Sequence, residues 1–412
     1  MIYRLLHQRM AHGSLRLTDE RGVDHVFGSG EPEARLTVNR AGTLGRVMRN
    51  PSFEFAESYV RGDWDSDDLA GLLNLLRRNL GPQVNAPWLR RLQALLRFGN
   101  SMRRSRRNVA VHYDLDEALF RAFLDTEMHY SCAYFEQGDM SLEAAQVAKS
   151  ELIGRKLALE PGHRVLDIGC GWGSLAMHLA SRWGVRVTGL TLSEEQHRVA
   201  TAEARRRGLS DSVEFRLEDY RVHRGQYDRV VSVGMFEHVG RDAYGTFFDR
   251  VRRSLGPDGV VLLHTIGRPG PPLHTTNPWI TRHIFPGGYI PSASEVLVPL
   301  EESGLVLCDL EVWRQHYART LHHWLQRFQA RRDEFVHQKG ERFCRIWEFY
   351  LAASESAFAS GELEVFHFQL GMHQDAVPLT RDYLYPPPAA TEPLVEAPAV
   401  PEYAPRLRRD AS

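Results

Sequence analysis

The sequence predicts an α/β fold: a mostly parallel sheet with helices on both faces, preceded by a smaller N-terminal α+β unit. Two observations carry that expectation. Short apolar runs alternate with helical patterns over about residues 108 to 385, and one of those runs empties into a turn with glycine at alternate positions. A third observation bounds it. No stretch of about 18 apolar residues occurs, so any membrane contact is expected to be peripheral.

In chain order, residues 1–85 mix a short β-like run at 34–38 with the helical DDLAGLLNLLRRN. Its leucines at 69, 72, 73, 75 and 76 favour one face of an amphipathic helix. GPQVNAP (81–87) breaks that pattern, and a basic segment at 86–107 reads as a linker. It carries Arg103, Arg104, Arg106 and Arg107, which fit either a solvated linker or a contact with anionic lipid.

The unit at 108–385 follows. RVLDI (164–168) reads as a buried strand, and GSLAMHLASRWG (173–184) as a helix closed by its terminal glycine. RVTGL (186–190) is the next strand, and Ser193 ahead of EEQ caps the helix after it. VEFRL, YDRVVSV and VVLLH continue the series, and the alternation in ELEVFHFQL (362–370) predicts an antiparallel edge strand. Residues 386–412 are rich in proline and alanine and read as a disordered tail.

Composition narrows the function. Hydrophobic residues make up 43% and charged residues 25% of 412, enough for a large core. The net charge of −1 argues against a nucleic-acid partner. Cys132, Cys170, Cys308 and Cys344 form no CxxC pair, so neither a disulfide framework nor a metal site is expected, in keeping with a reducing cytoplasm. The N-terminus is too polar for a secretory signal.

The most informative segment is VLDIGCGWG. Asp167 lies near the end of the strand, and Gly169, Gly171 and Gly173 open the helix, letting a ligand lie against the backbone. A phosphate-binding GxGxxG would need glycine where Ser174 stands. The GxGxG spacing instead resembles the first motif of Rossmann-like methyltransferases. LTLSEEQ then supplies Thr191, Leu192, Ser193 and Gln196 where a ribose would lie, and LEDY supplies Asp219 and Tyr220 near an adenine. Ser193 also reads simply as a helix cap, and Asp219 as a surface loop acid.

Together with HYDL (112–115), YSCAYF (130–135), SVGMFEHVG (232–240), LLHTIG (262–267), IFPGGYIPS (284–292) and YARTLHHW (317–324), these segments resemble cyclopropane fatty acid synthases, over about residues 50 to 370. ESYVRGDWDSDDLAGLL is similar to the accessory domain of the longer, bacterial-type members. The resemblance implies a class I methyltransferase with a seven-stranded sheet and S-adenosylmethionine as cofactor. It implies transfer of a methylene group to the cis double bond of an unsaturated phospholipid, at the inner face of the membrane, by a homodimer. It further implies a bound bicarbonate as base, held by Cys132, Glu237, His264, Ile266 and Tyr317. Cys132 and Ile266 would act through the backbone, Glu237 as acceptor, His264 as donor, and Tyr317 through its hydroxyl and π face. His112, Tyr113, Tyr130 and Ser131 are expected near cofactor or substrate.

Three other readings compete: a fatty acyl C-methyltransferase giving a methylene- or methyl-branched chain, a small-molecule N- or O-methyltransferase, and a non-catalytic lipid-binding protein. RPGPPLHTTNPWITRHIFPGGYIPS (268–292) reads equally as a lid over an acyl channel or as an ordinary excursion.

Overall fold

The computed structural model describes residues 2–81, 117–272 and 277–385. The basic segment with its arginines, His112, Tyr113, the expected domain boundaries near 85 and 107, and the tail at 386–412 lie outside the described residues.

Residues 2–81 form α1 (Ile2–Arg9), β1 (Gly13–Thr18), β2 (Asp24–Ser29), β3 (Glu33–Val38), α2 (Thr43–Arg49), α3 (Pro51–Val60), β4 (Trp64–Asp65) and α4 (Leu69–Leu80). Their sheet runs β2-β1-β3-β4, with β1 and β3 parallel and the other pairs antiparallel. Asp68 caps α4 by accepting from the Gly71 amide at 2.9 Å, and Leu69, Leu72, Leu73 and Leu75 are buried. Leu76 is only half-buried.

The larger part opens with α5 (Glu117–Phe123) and α6 (Leu142–Lys156). Then come β5 (Arg164–Ile168), α7 (Ser174–Trp183), β6 (Arg186–Thr191), α8 (Glu194–Arg206), β7 (Val213–Leu217), β8 (Tyr227–Val233), α9 (Tyr244–Arg253) and β9 (Leu255–Gly267). The chain ends with α10 (Pro278–His283), α11 (Ala293–Ser303), β10 (Val306–Trp313), α12 (His316–Ala330), α13 (Arg332–Lys339), α14 (Glu341–Ala359) and β11 (Glu364–Gly371). The seven-stranded sheet runs β10-β11-β9-β8-β5-β6-β7. Five neighbouring strands, β9 to β7, pair in parallel, and β11 is antiparallel to both β9 and β10.

β11 corrects the edge-strand expectation. Its direction is antiparallel, but it lies inside the sheet, and β10 takes the edge. The alternating polar residues do not face water: His367 is fully buried and Gln369 nearly so. The end of α6 covers them, and Gln369 Nε2 donates to the Lys156 carbonyl at 2.5 Å. Covered polar side chains with partners mimic, in the sequence, the solvated face of an edge.

One apolar cluster runs unbroken from Leu15, Leu36 and Trp64 in the N-terminal sheet to Phe120, Cys132, Tyr317 and Trp347. Two further clusters fill the faces of the large sheet.

Candidate functional site

A cleft opens at the carboxyl ends of the parallel strands, where α/β sheets bind ligands. It encloses about 1170 Å³ of empty space including its mouth. Its walls are the turns after β5, β6, β7 and β8, together with residues 128–131 and Lys149 of α6. Tyr130, Ser131, Asp167, Gly169, Gly171, Thr191, Leu192, Gln196, Asp219 and Tyr220 all line it.

Gly173 and Ser193 do not. Gly173 has φ +86°, and a Cβ there would meet Phe215 at 2.5 Å and Ala200 at 2.9 Å, so this glycine is required by packing behind the turn. Ser193 is the N-cap of α8, accepting from the Gln196 amide at 3.2 Å. Thr191 donates to Gln196 Oε1 at 2.9 Å, which orients the Gln196 amide. The Asp219 carboxylate is held by Arg221, through Nε at 2.9 Å and Nη2 at 2.6 Å. Any adenine contact must share this carboxylate with that guanidinium.

Two groups set the electrostatics. Asp167 is buried with Oδ2 unpartnered, and burial pushes its carboxyl up to about 7 while Lys149 opposes the rise. The Lys149 ammonium is also buried, bonded to Ser131 Oγ at 3.0 Å and Gln146 Oε1 at 2.7 Å, and burial lowers it to about 8. Sequence reasoning missed Lys149. Nothing local marks it: burial runs almost all round α6, with Gln146, Lys149, Ser150 and Lys156 buried beside Ala145, Leu152 and Ile153, so no one face sets the lysines apart. His129, also at the cleft, bonds Asp125 through Nδ1 at 2.9 Å, leaving Nε2 buried without a partner. It follows Met128, whose φ of +61° is strained for a non-glycine residue. An acid, a cation, a polar turn after β6 and a second acid after β7 therefore share one cleft, which fits a cofactor with an amino-acid end and a nucleoside end.

A second constellation adjoins the cleft, because Ser131 and His238 line it and are respectively followed and preceded in the chain by Cys132 and Glu237, which do not. Glu237 sits in the turn after β8. Its Oε1 accepts from the Ile266 amide at 2.6 Å, and its Oε2 is buried with no partner. Burial raises the carboxyl to about 7, against the pull of the Ile266 amide. That amide is therefore engaged by Glu237, whereas the resemblance would leave it for an anion. His264 lies two residues earlier on the same face of β9, its Nδ1 2.7 Å from His367 Nε2 and its ring edge-on to Trp313.

Cys132 is fully buried, burial raises its thiol, and Sγ donates to the Ala133 carbonyl at 3.3 Å, so it is no nucleophile. The next amide, Ala133 N, donates to Thr320 Oγ1 at 3.0 Å, and Thr320 is one turn along α12 from Tyr317. Tyr317 is buried against Trp324 and Phe358. Cys132, Tyr317 and Trp313 belong to one apolar cluster, with Ile266 packed against it. An unpaired carboxylate oxygen and an imidazole in apolar, water-poor walls can hold a small group that both donates and accepts.

The sequence model of the mycolic acid cyclopropane synthetase family matches residues 100–368. The chain is similar to a cyclopropane-fatty-acyl-phospholipid synthase of Escherichia coli (strain K12), 40% identical over 341 residues, which are 82% of this chain and 87% of that protein. It is 37% identical over 386 residues to tuberculostearic acid methyltransferase UfaA1 of Mycobacterium tuberculosis (strain ATCC 25618 / H37Rv), covering 89% of this chain and 90% of the relative. Among solved structures, the mycolic acid cyclopropane synthase CmaA1 complexed with SAH and CTAB superposes with a TM-score of 0.62 at 36% identity, over 65% of this chain and 98% of the other.

Proposed function

The chain belongs to the mycolic acid cyclopropane synthetase family, and from that premise we propose that it converts the cis double bond of an unsaturated phospholipid acyl chain into a cyclopropane ring, using S-adenosylmethionine. The observation that carries this reading is Glu237, a buried carboxylate with a free oxygen, next in the chain to His238 of the cleft wall.

When bound, S-adenosylmethionine supplies an electrophilic methyl group, and bicarbonate supplies a weak base suited to a very acidic carbocation. Asp167 and Lys149 would receive the ammonium and carboxylate of the amino-acid end. Thr191, Leu192 and Gln196 face the ribose, and Asp219 and Tyr220 the adenine. Tyr130 and Ser131 close the cleft over the reacting end. The apolar walls exclude water, which would otherwise capture the cation. Glu237 Oε2 would accept a hydrogen bond from the small anion, His264 would donate one to it, and the Cys132 amide would add a second donor. Tyr317 presents its hydroxyl and π face to the developing positive charge. Loss of one proton from the transferred methyl to the bound anion, with the C–H electron pair forming the new carbon–carbon bond, would close the ring.

No helix among the described residues is long and apolar enough to cross a membrane. We read the encounter with lipid as peripheral, at the inner face, through the 1–85 accessory domain and the basic segment, with the protein acting as a homodimer. The likeness to a tuberculostearic acid methyltransferase over most of both chains favours a second reading, a fatty acyl C-methyltransferase that leaves a branch in place of a ring.

Mass spectrometry separates them. Purified protein is incubated with methyl-deuterated S-adenosylmethionine and vesicles of cis-monounsaturated phospholipid. Cyclopropanation gives a gain of one methylene per chain, loss of one methyl deuterium, and resistance to hydrogenation. A reducible double bond, or retention of the whole labelled methyl, would establish the branching reaction. No lipid product despite cofactor binding would overturn both.

A further inference from the structure

His264 does not stand alone on its strand. In the ladders, His264 of β9 pairs directly with His367 of β11, and His367 pairs directly with Glu311 of β10. Directly paired residues project from the same face of a sheet, so the three side chains form one row across three strands. Lys156, the last residue of α6, descends onto that row. Its ammonium contacts Glu311 and lies 3.5 Å from His367 Nδ1, while His367 Nε2 lies 2.7 Å from His264 Nδ1. Trp313, two residues beyond Glu311, packs its ring 3.9 Å from the His367 ring and edge-on to His264. His264, His367 and Lys156 are all at most 1% exposed.

The order of donors along this row follows from elementary hydrogen-bond inventory. An ammonium can only donate, so His367 Nδ1 must accept. A neutral imidazole carries one N–H, and that of His367 is then on Nε2, donating to His264 Nδ1. The proton of His264 is in turn left on Nε2. The reverse order would aim an Nδ1–H of His367 at the Lys156 ammonium, donor against donor. Burial and the charges of Lys149 and Lys156 keep both rings neutral, and His316 at the start of α12 adds to the effect on His367. Glu311, whose side chain is one-quarter exposed, anchors the ammonium at the outer end.

We infer that His367, backed by the Lys156–Glu311 pair, is a positioning residue that fixes His264 as the Nε2–H tautomer and so presents a hydrogen-bond donor to the reaction centre. The use made of that donor rests on the anion-binding role proposed for His264. The tautomer itself does not.

The test is nitrogen NMR of full-length protein labelled at histidine, with the His264 signals assigned by their loss in His264→Asn. Wild type is expected to show His264 protonated at Nε2. His367→Gln offers an amide that accepts from Lys156 and donates to His264, so it should keep that tautomer and recover most of the turnover. His367→Leu should let the Nδ1–H form populate and lower turnover by roughly 10- to 100-fold, with cofactor affinity unchanged. An Nδ1-protonated His264 in wild type overturns the inference. So does an Nε2–H form as complete in His367→Leu as in wild type. A shifted tautomer with undiminished turnover upholds the tautomer control and sinks the donor role of His264 instead.

Discussion

At the scale of single residues, the site is governed by charges held where water cannot reach them. Glu237 loses hydration on folding, and the hydrogen bonds it regains, foremost from the Ile266 amide, do not offset that loss, so its carboxyl rises to about 7. An acid raised in this way favours the fold fully below its unfolded value near 4.5, and that contribution is lost as pH climbs through about 7. Glutamine keeps the Oε1 acceptor and never ionises. Glu237→Gln should therefore raise the melting temperature over wild type by more at about pH 8.5 than at about pH 6 in differential scanning fluorimetry. It should also keep cofactor affinity while lowering turnover by about 100-fold or more. Unchanged turnover would remove Glu237 from the chemistry. Lys149 makes the complementary case. Lys149→Met leaves Ser131 Oγ and Gln146 Oε1 without their shared donor and removes the charge that restrains Asp167. Losing charge-assisted bonds worth roughly 1.5–3 kcal/mol should weaken S-adenosylmethionine binding by about 10- to 100-fold in calorimetry. Because Asp167 then titrates above its present value near 7, the deficit should narrow as pH rises.

At the scale of elements, the three glycines after β5 look alike in the sequence and do different things. Gly169 and Gly171 line the cleft, whereas Gly173 lets the Phe215 ring and Ala200 close behind it. Gly173→Ala must accept a positive φ and a Cβ 2.5 Å from an aromatic carbon, at a cost of roughly 2–4 kcal/mol. Gly171→Ala meets no atom within 4 Å and bears only the φ cost, so urea midpoints should separate the two variants. What was legible here is periodicity: β5 to β9 and the helices between them are strong local patterns, and the turn that ends β5 announces a ligand. What was not legible is what covers what. β10, VLCDLEVW, mixes charged and apolar residues because only one side of it is paired, and β11 hides two polar side chains under α6. Lys149 and Lys156 are buried by tertiary contacts that a helical pattern alone cannot report.

At the scale of the whole molecule, the N-terminal unit and the catalytic part are joined through the segment at 277–292. Glu57 of α3 receives Trp279 Nε1 at 3.2 Å, His283 Nε2 at 3.0 Å and Arg342 Nη2 at 3.3 Å. The first two belong to α10, so the accessory unit pins that helix from outside. At the other end of the same segment, the Tyr289 amide donates to the Glu237 carbonyl at 2.9 Å. A continuous path therefore runs from the N-terminal unit, along α10 and residues 284–289, to the backbone that carries the candidate acceptor. The interface has other supports, since Arg345 bonds the Tyr59 carbonyl at 2.6 Å and lies 4.1 Å from the Tyr59 ring centroid. Removing Glu57 alone should loosen α10 without detaching the unit. Glu57→Ala leaves an indole N–H and an imidazole without their acceptor in a half-buried site, a cost of about 1–3 kcal/mol. Because the path ends at Glu237 and not in the cofactor cleft, the expected result is a fall in lipid turnover of about threefold to tenfold with cofactor affinity preserved. Paired calorimetry and lipid mass spectrometry read both quantities. Equal losses in the two would mean that the interface supports the fold as a whole, and that α10 conveys nothing specific to the reaction centre.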